Sequence, residues 1–176
     1  RESEEVIKEV EKLLEELKEN TKRTLKESRD LLKTLEDHTR ETKKTVEKML
    51  KELEDKVRKR KESEEEIRKV VEDIKREIER LARENERIAR EIEERDRELL
   101  DRNRKLAEDI EEKIRRKIRV EEEADRLRRE LKKILDRSRE LSRKTKEDLK
   151  KLLKESEDII RELDRRLEEI LKEVER

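Results

Sequence analysis

The chain has 176 residues, 62% of them charged, with 55 basic groups against 55 acidic ones and no glycine, proline, cysteine or aromatic residue. The two signs are interspersed, so no extended basic face offers itself to nucleic acid or anionic lipid, and no apolar run approaches the roughly 18 residues of a membrane span. Average usage would put about twenty glycine and proline residues in a chain of this length, so their absence marks an unusual alphabet, while the lack of cysteine leaves the redox compartment open.

Low hydrophobicity with high charge is also a signature of disorder. Here the net charge is zero and the apolar residues recur with a fixed period. From Ile7 a position falls alternately every three and four residues: Ile7, Val10, Leu14, Leu17, Thr21, Thr24, Ser28, Leu31, Leu35, His38, Thr42, Thr45 and Met49. That heptad pattern predicts a helix packed with slight left-handed supercoil. Val6, Leu13, Leu25, Leu32, Val46 and Leu53 widen the stripe, which suits a bundle of three or four helices better than a two-stranded coil. Within it, between Asn20 and Thr45, six positions that ordinarily carry leucine hold Thr21, Thr24, Ser28, His38, Thr42 and Thr45 instead.

The first helix is expected to open at Ser3, with Glu4 and Glu5 behind it, and to end in the basic run Lys56, Arg58, Lys59, Arg60 and Lys61. Glu62, Glu64, Glu65 and Glu66 follow, so the charges on both sides of this corner complement the helix dipoles, and Ser63 with Glu66 reads as a capping box. The second helix carries an aliphatic stripe from Ile67 to Ile118, holding Asn85 and Asn103 and interrupted between Glu93 and Glu98. A second sign reversal, from Arg115, Arg116, Lys117 and Arg119 to Glu121, Glu122 and Glu123, marks the next corner, here without a side-chain cap. A corner between Asp96 and Asn103 is weaker, because Ile92 and Leu99 stand one heptad apart in phase. The third helix repeats the stripe from Leu127 to Val174, with Ser138, Ser142, Thr145 and Ser156 along it.

These corners predict one domain over 1–176, with helices at about 3–60, 63–119 and 121–176, each of about 56 residues and about 84 Å. Equal lengths and short corners give an all-α, antiparallel up-down-up three-helix bundle with left-handed coiled-coil packing. Folding the chain at its corners pairs positions whose numbers sum to about 122 between the first two helices and about 240 between the last two. His38 then falls level with Asn85 and Ser156, and Thr21 with Asn103 and Ser138. Thr24 and Ser28 come beside Ser142 and Thr145, opposite the interruption in the second stripe.

His38 is the one side chain that titrates ordinarily near neutral pH or that suits a metal, yet there is no cysteine and no second histidine to complete a site. Ser156 near His38 invites comparison with a nucleophile and its base, but a regular helix interior has no free backbone donors for an oxyanion. The reading is therefore of no enzyme, no metal and no cofactor. A lone asparagine in a heptad core sets register and partner choice. The polar set Thr21, Thr24, Ser28, His38, Thr42, Thr45, Asn85, Asn103, Ser138, Ser142, Thr145 and Ser156 reads as a structural network whose hydrogen bonds one alignment alone satisfies. Its rival is a polar cavity through the bundle that holds water or a ligand.

With Glu, Lys and Arg on the surface, Ile, Leu and Val in the core, Ser, Thr, Asn and His in discrete layers, and Ser-Glu-Glu helix starts at Ser3 and Ser63, the chain resembles a computationally designed helical bundle with buried hydrogen-bond networks. The resemblance is one of style over the whole chain. It implies a structural scaffold without natural activity, or alternatively a subunit of a designed homo- or hetero-oligomeric assembly; because each helix has one apolar stripe, used up in forming the bundle, a monomer requiring no partner is the expectation. The missing loop glycines depart from that style. A lipid-surface protein of apolipoprotein type is the further alternative, against which stands the lack of Trp and Phe. No targeting signal is visible, so localisation is unknown; a soluble, recombinantly expressed protein is the expectation.

Overall fold

The computed structural model describes residues 4–60 and 63–175. They form three helices, α1 (Glu4–Lys59), α2 (Glu64–Lys117) and α3 (Glu121–Val174). The protein is an all-α three-helix bundle, up, down and up. Each helix begins on acidic residues, and α1 and α2 end on basic ones, so every terminus but the last is matched to its dipole by several charges. Ser3, the expected opener of α1, lies outside the described residues.

The two corners are built differently. At the first, the Glu66 N–H donates to Ser63 Oγ at 3.3 Å, and the Ile67 N–H donates to the Ser63 carbonyl at 3.1 Å. Arg60 closes α1 with φ 51°, in the left-handed region that glycine ordinarily fills, and its N–H reaches back to the carbonyls of Lys56 and Val57. At the second corner α2 ends at Lys117, close to the expected 119, and the buried Ile118 beyond it still donates its N–H to the Ile114 carbonyl at 3.1 Å. Val120 then occupies the position before α3, where its carbonyl accepts the Ala124 N–H at 3.0 Å while its own side chain is 45% exposed.

The chain divides into two compact units, and all three helices contribute to each. The first comprises residues up to Asp30 together with Glu91–Glu147. Its core joins Val10, Leu14 and Leu17 of α1 to Ile110 and Ile114 of α2 and Leu127 and Leu131 of α3, and Ile118 and Ala124 close the corner end. Antiparallel pairing of α1 and α2 follows from the cross-helix ion pairs Glu9 with Lys113 and Glu27 with Arg95, whose residue numbers sum in both cases to 122. The second unit comprises Leu31–Arg90 and the residues from Asp148 on. There Val46, Leu50 and Leu53 pack with Ile67, Val71, Ile74 and Ile78 and with Leu163, Leu167 and Ile170.

The buried positions depart from a strict heptad in one respect. Along α1, Asn20 aside, they run Val10, Leu14, Leu17, Thr21, Leu25, Ser28, Leu32, Leu35, Thr39, Thr42, Val46, Leu50 and Leu53, twelve steps over 43 residues. That is about 3.6 residues per step, the period of a straight helix, against the 3.5 of a supercoiled one. Two steps of four come in succession at Leu17, Thr21 and Leu25 in α1, at Ile88, Ile92 and Asp96 in α2, and at Ile134, Ser138 and Ser142 in α3, and they recur at Thr42, Val46 and Leu50 and at Ile110, Ile114 and Ile118. All three helices thus take up the extra residue of a stutter, which locally relaxes left-handed supercoiling. Beyond it the buried edge of α1 passes through Leu25, Leu32, Thr39 and Val46 rather than Thr24, Leu31, His38 and Thr45.

Candidate functional site

Two polar layers are built alike, each from one residue of every helix. In the first unit, Asn103 of α2 donates through Nδ2 to Thr21 Oγ1 and to Ser138 Oγ, both at 3.0 Å, and Thr21 Oγ1 donates to Ser138 Oγ at 3.3 Å. In the second unit, Asn85 Nδ2 donates to Thr39 Oγ1 at 3.2 Å and to Ser156 Oγ. All six side chains are buried. A central asparagine suits the middle helix because its two amide protons diverge, one toward each neighbour, and short hydroxyls on α1 and α3 leave it room. The two carboxamide oxygens, Asn85 Oδ1 and Asn103 Oδ1, are buried without a hydrogen-bond partner among the described residues. A buried acceptor left unpaired costs about 1–3 kcal/mol.

A third polar contact fills the interruption in the stripe of α2. Asp96 is buried there, accepting a hydrogen bond from Ser142 Oγ and an ion pair from Lys146 Nζ at 3.0 Å. Arg95, its neighbour, bridges Glu27 of α1 and Glu91 of its own helix. A buried carboxylate is tolerated when it is paired and hydrogen-bonded, as this one is.

The expected polar residues divide as follows. Thr21, Asn103 and Ser138 come together as predicted, and Asn85 meets Ser156. Thr39 takes the place expected for His38, which is half-buried and lies with its Nδ1 3.4 Å from Thr42 Oγ1. Ser142 binds Asp96, and Thr145 is buried but donates to the Leu141 carbonyl one turn back, at 2.9 Å. Ser28 and Thr42 are buried outside both layers. Thr24 is half-buried, and Thr45 is exposed, donating to the Glu41 carbonyl at 3.1 Å. Thr39, Asp96 and Asn20 are buried polar residues that heptad counting passes over. Asp96 was within reach of sequence reasoning, since it stands four residues after Ile92 and three before Leu99. Asn20 accepts a hydrogen bond from Arg23 at 2.8 Å.

Ser156 accepts a hydrogen bond from Asn85, and His38 Nδ1 lies beside Thr42 Oγ1. The Arg87 hydrogen bond holds the Glu84 carboxyl below the usual carboxylate range, with a smaller contribution from His38 in the same direction. Among the described residues no group of three His, Cys, Asp or Glu side chains is placed to hold a metal ion, and no helix is long and apolar enough to cross a membrane.

No protein-family model matches the chain, and no curated protein matches it. Among solved structures it is similar to a computationally designed three helix bundle, at 15% sequence identity, over 98% of this chain and 83% of that one, with a TM-score of 0.32. A score that low leaves the fold resting on the helices and contacts described above.

Proposed function

We propose that the chain is a designed structural scaffold with no natural biochemical activity, that its buried polar network specifies the register and topology of the bundle, and that residues 1–176 form a single domain working as a monomer without a required partner. One observation carries the reading: the same arrangement, an asparagine of α2 donating to one hydroxyl of α1 and one of α3, occurs twice. An apolar core accepts many sliding alignments of its helices at similar energy. The amide donors of such a layer are paired in one alignment and left unpaired in the others, at about 1–3 kcal/mol each. Polar core residues that cost stability and set alignment are the recognised use of such groups. The twelve predicted positions enter this proposal unequally, because Thr45 is exposed and Thr39 and Asp96 join the buried set.

The test replaces both layers with apolar residues, Thr21→Val, Thr39→Val, Asn85→Leu, Asn103→Leu, Ser138→Ala and Ser156→Ala. Removing all partners together leaves no orphan, so the variant should stay helical with equal or higher thermal stability. Sedimentation equilibrium and amide resonance dispersion should then reveal mixed oligomers or several registers, where the parent is one monomeric species. A variant that remains a single, well-dispersed monomer overturns the proposed role of the layers. So does an unfolded one.

A further inference from the structure

In the first unit, α1 and α3 enclose a groove of about 590 Å³ whose walls carry Lys18, Lys22, Lys26, Arg29, Lys133 and Arg137, with no acidic residue lining it. On a chain of zero net charge this is a local departure. The groove between α2 and α3 of the same unit mixes Arg104, Arg115 and Arg139 with Glu108, Glu111 and Glu112. The groove between α1 and α3 of the second unit mixes Arg40 and Lys43 with Glu36 and Glu155. Elsewhere a typical arginine is taken up by a carboxylate one turn away, as Arg126 is by Glu123 and Arg165 by Glu162. Among the described residues, Lys18 alone of the six groove cations has an ion-pair partner, Glu15 at 4.0 Å. Counted along the chain the signs alternate; followed along the face of α1, Lys18, Lys22, Lys26 and Arg29 form a continuous basic stripe, met by Lys133 and Arg137 on α3.

The floor of the groove is apolar, formed by Leu25, Ile134 and Leu141. Its hydroxyls are already committed, Thr21 and Ser138 to the Asn103 layer and Thr145 to the Leu141 carbonyl. An apolar floor between cationic walls selects a ligand with an apolar body and an anionic end, and the volume falls within the usual range for small-molecule sites. Low-dielectric walls of one sign concentrate such an anion, while the lysine stems can cover its chain. The floor decides between an alkyl chain and a helix. Its apolar part is three side chains, Leu25, Ile134 and Leu141, which one extended alkyl chain covers, whereas an amphipathic helix needs a broad apolar stripe of its own to be covered. We infer that this groove binds a single-chain anionic amphiphile, its alkyl chain along Leu25, Ile134 and Leu141 and its carboxylate or sulfate among the wall lysines. The inference does not depend on the scaffold reading.

Calorimetric titration of the full chain with sodium dodecanoate, below its micellar concentration, tests this. One-to-one binding is expected, with amide shifts centred on Leu25, Ile134 and Leu141. Removing wall charge with Lys22→Ser, Lys26→Ser and Lys133→Ser together, all at exposed positions, should weaken it by at least about tenfold at low salt. Circular dichroism verifies that this variant stays folded, and Arg104→Ser, Arg115→Ser and Arg139→Ser in the mixed groove should leave binding unchanged. Equal binding of dodecyltrimethylammonium, undiminished binding by the lysine variant, or shifts centred elsewhere overturns the inference. Preference for an acidic amphipathic peptide over dodecanoate overturns it as well.

Discussion

Thr39 and His38 are adjacent in sequence and differ in what they do. Thr39 accepts a hydrogen bond from a buried amide, whereas His38 sits half-buried beside Thr42. Histidine attracts attention in a sequence because it is singular and titratable. Burial is set by helical phase, and one residue along α1 is a turn of about 100°. The consequence is measurable by urea denaturation. Thr39→Val keeps the shape but orphans one Asn85 proton, and should cost about 1–3 kcal/mol. His38→Ala should cost about 1 kcal/mol or less. The reverse order would mean that His38 belongs to the Asn85 layer after all.

Each helix owes its limits to charges and caps, and here the two corners make a controlled comparison. α2 begins behind Ser63, whose hydroxyl takes one of the free N–H groups of the first turn. α3 begins behind Val120, which supplies a carbonyl but no side-chain acceptor, and exposes an apolar side chain. Val120→Asp should therefore stabilise the protein by about 1 kcal/mol, and Ser63→Ala should destabilise it by a similar amount. Thermal melting reads both changes. No gain from Val120→Asp would indicate that the second corner cannot adopt capping geometry. The first corner was legible because a serine and a sign reversal coincide there. The second corner carries a sign reversal but no capping side chain, so local order marks the end of α2, at Lys117, less sharply.

For the molecule as a whole, the proposed single domain has a direct test. The two units have separate apolar cores, yet α1, α2 and α3 each run through both. Helix formation is cooperative along a continuous helix, because nucleation is costly and propagation is not. Leu17→Ala in the first core and Leu53→Ala in the second each remove a fully buried side chain, and each should cost about 2–5 kcal/mol. Both should move one common unfolding transition, seen alike by circular dichroism and by amide resonances from either unit. Two separated transitions, each answering to one of the variants, would mean two domains.

Much of this bundle is written in local order. The alternation of apolar and charged residues, the two sign reversals and the absence of helix breakers predict three helices of near-equal length, and the fold-back at the corners brings Thr21, Asn103 and Ser138 to one level, where they bond. Phase is another matter. A wide stripe such as that of α1 offers both Thr24 and Leu25, both His38 and Thr39, to the core, and counting cannot choose between them. The choice falls to packing, since two helices pressing on α1 bury whichever side chain fits between them, and the stutter near Leu25, Asp96 and Ser142 is where that choice departs from the heptad. The same holds for the cationic groove. Its residues stand in plain sight along the chain, but a basic stripe on α1 becomes a site through the helix that lies beside it.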